Sequence, residues 1–172
     1  MLDSGNGEVC RNFTTLDGTA DYYTIPTVSL AGDFEIEVDF SSTDTGNMLL
    51  GQLGSSSPFI YHQTDTNIRI NITVSHDFAF TNLSDGKLNK LKVVRASGII
   101  TVSVNGVDSI GGTVADTTTL TYDLIGAYST PINFTNGIIS DVKITDGTDL
   151  IRYYRLDEDF SGTSTAIDSG SD

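Results

Sequence analysis

Residues 90–106, KLKVVRASGIITVSVNG, contain two runs in which apolar and polar side chains alternate. The apolar positions are Leu91, Val93, Ile100, Val102 and Val104. A period of two gives a strand one apolar and one polar face, so the two runs predict a β-hairpin. Residues 96–98, Ala-Ser-Gly, predict a three-residue turn with a bulge, and the Asn-Gly pair at 105–106 predicts a second turn.

The same alternation recurs along the chain. Phe34, Ile36, Val38 and Phe40 alternate with acids, and residues 68–74 place four aliphatic side chains on one side of a predicted strand. A further strand is predicted from Tyr22 to a stop at Pro26, whereas residues 157–172 have no strand pattern. About a dozen short strands without a helical period predict an all-β fold, with two antiparallel sheets packed as a β-sandwich.

Length and charge limit the classes of protein that fit. A chain of 172 residues predicts one domain, 1–172, in which 157–172 form a tail or an inter-subunit segment. A net charge of −14, from 23 acidic and 9 basic residues, argues against nucleic-acid partners. The sequence shows no apolar run long enough for membrane insertion, and its first residues lack the basic start and apolar centre expected of a signal peptide.

Three segments carry a resemblance to a known family. Residues 90–106 resemble the signature hairpin of laminin-G-like and pentraxin-like domains in the concanavalin A-like lectin and glucanase superfamily. Residues 13–26 (FTTLDGTADYYTIP) resemble its opening strand pair, and residues 134–144 (FTNGIISDVKI) its closing strand. The resemblance implies a concanavalin A-like jelly roll. Residues 154–170 are similar to a segment that opens family members, which suggests one unit of a string of domains or a tail that packs on a neighbouring copy. The alternative is a chance match of two short Ser/Gly turns.

The resemblance also raises the question of calcium, because many relatives hold a structural ion near the closing strand. Their ligand position corresponds to Ser140 in this chain, and the aspartate is Asp141, which a regular strand would point to the opposite face. Asp157 and Asp159 in the tail offer alternative oxygen ligands, although consecutive acids in a tail are usually solvated. Whether a structural calcium ion binds stays open.

Glucanases of the same superfamily place three acids on one strand at nearly the spacing of Glu35, Glu37 and Asp39. Such acids can serve as acid and nucleophile on either side of a glycosidic bond. The order of the acids and the absence of Trp favour a different interpretation, namely the solvated outer face of a structural strand.

Carbohydrate binding needs an aromatic platform beside amide and carboxylate groups. Tyr61, His62, Asp65 and Asn67 offer this mixture at a predicted strand end, and Tyr128 is a second aromatic candidate. The alternative is that both tyrosines are partly buried sheet residues.

These patterns predict a non-catalytic adhesion or recognition module that binds a glycan or cell-surface polysaccharide. The expected setting is extracellular or a virion surface, in an assembly such as a phage tail fibre or capsid decoration. The alternatives are a purely structural virion or filament protein, whose partners are copies of itself or other virion proteins, and a polysaccharide-cleaving enzyme.

Overall fold

The structure is a computed structural model that describes residues 15–129, 132–156 and 163–169. Within these residues the chain forms strands and turns without a helix, so no helix is present that could span a membrane. The strands form a sheet of eight and a sheet of seven. The predicted all-β, two-sheet sandwich is therefore confirmed.

The eight-stranded sheet has the order β1-β13-β3-β8-β9-β10, with β11 paired to β9 and β14 paired to β13. All its pairs are antiparallel. Its strands are β1 (Thr15–Asp17), β3 (Phe34–Ser41), β8 (Asn89–Ala96), β9 (Ile99–Val104), β10 (Val107–Asp108), β11 (Val114–Ala115), β13 (Asn136–Asp146) and β14 (Asp149–Tyr154).

The seven-stranded sheet has the order β15-β2-β12-β4-β5-β6-β7. Its strands are β2 (Tyr22–Leu30), β4 (Asn47–Gly51), β5 (Phe59–Thr64), β6 (Asn67–Asn71), β7 (Ser75–Ala79), β12 (Leu120–Ile125) and β15 (Thr163–Thr165). β15 pairs with β2 in parallel. The expectation that residues 157–172 contain no strand is therefore wrong, because a three-residue strand is too short to show a period.

The core lies between the two sheets and is made by the predicted alternation. In β3, Phe34, Ile36, Val38 and Phe40 are buried while the acids between them face outward. The five apolar positions of the predicted hairpin are at most 5% exposed. Burial of such alternating faces supplies most of the stabilisation of a sandwich.

Both turns of the hairpin are tight. Ala96 pairs directly with Ile99, and Ser97 and Gly98 both have positive φ, 51° and 75°. The turn therefore has two residues and no bulge, contrary to the expected three. The second turn is confirmed at Asn105 and Gly106, with φ of 54° and 76°.

Two strand ends differ from the expectation. β2 continues through Pro26 to Leu30, because Ile25, Pro26 and Thr27 lie in a bulge opposite the single residue Asp123. Proline has no N–H to donate, but a residue in a bulge is not paired, so no hydrogen bond between the strands is lost at Pro26. β6 ends at Asn71, and the fourth predicted aliphatic, Val74, is 58% exposed in the following turn.

A buried arginine joins the sheets at one end. Arg95 on β8 is 2% exposed, and its guanidinium lies 4.7 Å from the ring centre of Phe34. Its Nε donates to the Gly32 carbonyl at 2.7 Å, its Nη2 to the Leu30 carbonyl at 2.9 Å, and its Nη1 to the Thr118 carbonyl. Three backbone acceptors thus satisfy a charge buried in the sandwich.

Candidate binding faces

The predicted ligand residues on β5 divide between its two sides. Phe59, Tyr61 and Gln63 face outward from the seven-stranded sheet, whereas Ile60 and His62 face the interior and are 0% exposed. The alternation of a strand makes this division unavoidable. Tyr61 and His62 therefore cannot both contact one ligand at the surface, although the sequence pattern predicts them in the same site.

His62 lies in a buried polar site beneath the outer face of β5. Its ring centre is 5.3 Å from that of Phe40, its Nδ1 is 3.4 Å from Asn47 Nδ2, and its Nε2 is 3.3 Å from Ser84 Oγ. Burial lowers the pKa of His62, and the charge of Asp65 opposes this effect. These contacts assign His62 to the support of the sheet and the loop beside it.

Asp65 and Asn67 flank the turn between β5 and β6. The Asp65 carboxylate accepts from the Ser84 N–H at 2.8 Å, and its carbonyl accepts from the Leu83 N–H at 2.9 Å, so Asp65 anchors the neighbouring loop. Asn67 is half-buried on the outward side of β6, the side that also carries Arg69. Asn67 thus shares the outward side of the sheet with Tyr61, while Asp65 stands at the margin of the sheet.

Three aromatic rings form a row on the outer side of the seven-stranded sheet. The Phe59 ring centre lies 5.4 Å from that of Tyr128 and 6.2 Å from that of Tyr61, and both contacts are edge-to-face at 84° and 85°. The Tyr128 hydroxyl donates to the Ser56 carbonyl at 3.0 Å. The structure thus brings the two predicted tyrosines together through Phe59, a residue that the sequence pattern does not single out.

A polar group lies beside this row. Arg69 is the cross-strand neighbour of Tyr61 and donates to Asp77 through Nε at 2.6 Å and Nη2 at 2.9 Å. These bonds lower the pKa of Asp77 and raise that of Arg69, so both groups stay charged. With its amide oxygen turned toward Arg69, Gln63 accepts from Nη2 at 3.0 Å. We call Phe59, Tyr61, Tyr128, Arg69 and Asp77 the aromatic face.

The outer side of the eight-stranded sheet has a different character. Glu35 and Glu37 lie 2.7 and 3.8 Å from Lys92, and Asp39 lies 3.2 Å from Lys90. The side chain of Glu37 is 41% exposed, so it faces solvent as expected, and Glu37 and Asp39 also line a pocket of about 500 Å³. We call this cavity the charged pocket.

The closing strand contributes the opposite wall of the charged pocket. β13 has a bulge between Ile139 and Asp141, so the expectation of a regular strand at this point is wrong. As a result Ser140 and Asp141 both line the pocket. Tyr153 donates to Asp141 at 2.7 Å, and the Lys143 ammonium lies 5.0 Å from the centre of the Tyr153 ring.

Metal binding is a separate question. Among the described residues, no group of three or more His, Cys, Asp or Glu side chains is arranged to hold an ion. Asp157 and Asp159 lie outside these residues, so their role as calcium ligands stays a prediction.

No protein-family model matches the chain, and no curated protein matches its sequence. Among solved structures, domains LG4-5 of the mouse laminin α1 chain align with a TM-score of 0.61 and 16% identity, over 92% of this chain and 44% of that chain. The LG1-3 region of the laminin α2 chain aligns with a TM-score of 0.61 and 16% identity, over 84% and 29%. The chain thus spans less than half of either structure, and it has a laminin-G-like, concanavalin A-like β-sandwich fold.

Proposed function

We propose that the protein is a non-catalytic recognition module that binds a glycan on the aromatic face. The observation that carries this proposal is the row of Tyr128, Phe59 and Tyr61, which lies directly beside the paired Arg69 and Asp77. Sugars present apolar ring faces together with hydroxyls, and the aromatic face offers partners for both.

The geometry supports one way of holding such a ligand. The edge-to-face contacts fix the three rings relative to one another, so little side-chain entropy is lost when a sugar packs on them. The guanidinium of Arg69 donates to sugar hydroxyls, and the carboxylate of Asp77 accepts from them. A neutral glycan suits a chain with a net charge of −14 better than a polyanion does.

The proposal includes a setting. A glycan-binding module of this kind serves adhesion when it is displayed outside a cell or on a virion, for example in a phage tail fibre. The acidic composition, with a net charge of −14, supports this setting. Exposing the full chain to bacterial cells and measuring cell-bound protein, with and without free glycan as competitor, tests it.

A glycan array probed with the labelled full chain tests the binding itself. We expect one class of neutral glycan to bind, and we expect Tyr61→Ala to weaken that binding by about tenfold because a stacking surface is lost. Tyr153→Ala is the matched control, since it removes the same side chain from the other sheet. Absence of binding across the array, or equal losses in the two variants, would overturn the proposal.

A further inference from the structure

Lysine is unevenly distributed over this acidic protein. The chain has four lysines and a net charge of −14, yet Lys90, Lys92 and Lys143 all line the charged pocket. Three carboxylates line the same pocket, those of Glu37, Asp39 and Asp141. Opposite charges therefore alternate within one cavity of about 500 Å³, a size that suits a small-molecule site.

The strand pairing shows which of these charges already have partners. Lys92 contacts Glu35 diagonally across the strand pair at 2.7 Å, and Lys90 contacts its register partner Asp39 at 3.2 Å. Lys143 instead lies over the ring of Tyr153. A contact with a ring face leaves the N–H donors of an ammonium available for hydrogen bonds.

On the acidic side, two aspartates stand opposite each other. Asp141 on β13 pairs in register with Asp39 on β3, and like charges in this position repel. A ligand ammonium that lies near both carboxylates is attracted by both charges. Lys90 contacts Asp39 from the far side, on β8.

A buried hydroxyl gives a second, independent indication of a ligand. Ser140 sits in the bulge of β13, is 0% exposed and lines the charged pocket. Its Oγ has no hydrogen-bond partner among the described residues. An unpartnered buried hydroxyl costs free energy, and a polar ligand atom in the pocket would recover it.

We propose that the charged pocket is a second binding site, specific for a small zwitterion of the α-amino acid type. Asp141 and Lys143 are two residues apart on one side of β13, which separates their side chains by about 6–7 Å. An ammonium and a carboxylate on one carbon atom bridge this gap, with a hydrogen bond of about 2.8 Å at each end. The ligand ammonium lies between Asp39 and Asp141, and its carboxylate meets Lys143.

The same charges select against other ligands. A lone carboxylate would face Glu37, Asp39 and Asp141, and a lone ammonium would face Lys90, Lys92 and Lys143. Each of these ligands would leave the like-charged half of the pocket without a partner, and would be repelled by the side chains of its own charge. A ligand that carries both groups avoids these penalties.

Titration of the ¹⁵N-labelled full chain with alanine, propionate and ethylamine tests the proposal, because the last two molecules each retain one charge of the first. We expect alanine to shift the amides around Ser140 and Lys143, and to bind about tenfold more tightly than either fragment. Equal affinity for the three, or the absence of alanine-dependent shifts in the pocket, would overturn it.

Variants localise the effect. We expect Lys143→Gln and Asp141→Asn each to reduce alanine affinity by about tenfold. Lys87→Gln is the matched control, because it removes the same charge from a lysine outside the pocket. An unchanged affinity in Lys143→Gln would contradict the assignment. The glycan-array result does not bear on this outcome, so either proposal can fail alone.

Discussion

The outer faces of the two sheets follow the same alternation but present different surfaces. On the seven-stranded sheet the outward rings of Tyr61, Phe59 and Tyr128 contact one another, and their positions are fixed by packing. On the eight-stranded sheet the outward residues of the charged pocket are mostly charged, and several are joined by ion pairs that are partly exposed to solvent. The first face should therefore contribute to stability as well as binding, and the second mainly to binding.

The largest difference is expected from one substitution on each face. Phe59→Ala removes the ring that joins Tyr61 to Tyr128, and loss of a half-buried aromatic should lower the free energy of unfolding by about 2 kcal/mol. Lys92→Ala should lower it by less than about 1 kcal/mol. Urea denaturation of both variants measures the two values. Equal losses of unfolding free energy in the two variants would show that the two faces contribute equally to stability, contrary to this expectation.

Acidification from pH 7.5 to 5.5 should act on the seven-stranded sheet alone, since the chain has two histidines and both, His62 and His76, lie on that sheet. Burial lowers the pKa of His62, so the folded state binds its proton less readily than the unfolded state. Stability is then complete above pH of about 6.5 and is lost as pH falls below this value, by up to about 1.4 kcal/mol per pH unit.

Chemical denaturation between pH 7.5 and 5.5 checks this prediction. His62→Gln, which can still bond to Asn47 and Ser84, should lose the dependence on pH, and His76→Gln should keep it. A His62→Gln variant with the wild-type dependence would show that another group titrates.

The smallest effect expected is that of salt. Lys92→Gln breaks the exposed pair with Glu35 and should cost about 0.5 kcal/mol at low ionic strength. This cost should vanish near 1 M salt, where the screening length is about 3 Å. Arg69→Gln breaks two aligned bonds to Asp77 and should retain more of its cost in salt. Urea denaturation of both variants at increasing salt concentration measures the two costs. An identical salt response in the two variants would contradict the expected difference between the two faces.

The alternation of apolar residues was sufficient to predict the sandwich, because burial on one side of each strand leaves a period of two in the sequence. The details that failed depend on local backbone geometry instead. The bulges at Pro26 and Ser140 shift register without changing residue type, and the two-residue turn at Ser97 needs a positive φ that serine seldom adopts. Pro26 is compatible with either a strand end or a bulge, so the residue type alone does not choose between the two.

The candidate sites were predictable only in part. Tyr61 and Tyr128 were selected as aromatic residues near turns, but their link through Phe59 joins segments nearly 70 residues apart. The charged pocket was missed because alternating acids and lysines are also typical of a solvated sheet face. His62 was grouped with Tyr61 by adjacency, although adjacent strand residues face opposite ways. The signal that could have corrected this error was the strand period itself.

The guanidinium of Arg95 is held by dipoles of the main chain in place of a counter-charge. Those acceptors carry no proton to gain or lose, and their burial shields them from dissolved ions. The Arg95 hydrogen bonds between the two sheets should therefore persist at low pH and at high salt concentration. The same conditions weaken the surface ion pairs of the lysines. A lysine at this position could reach one carbonyl but could not span all three.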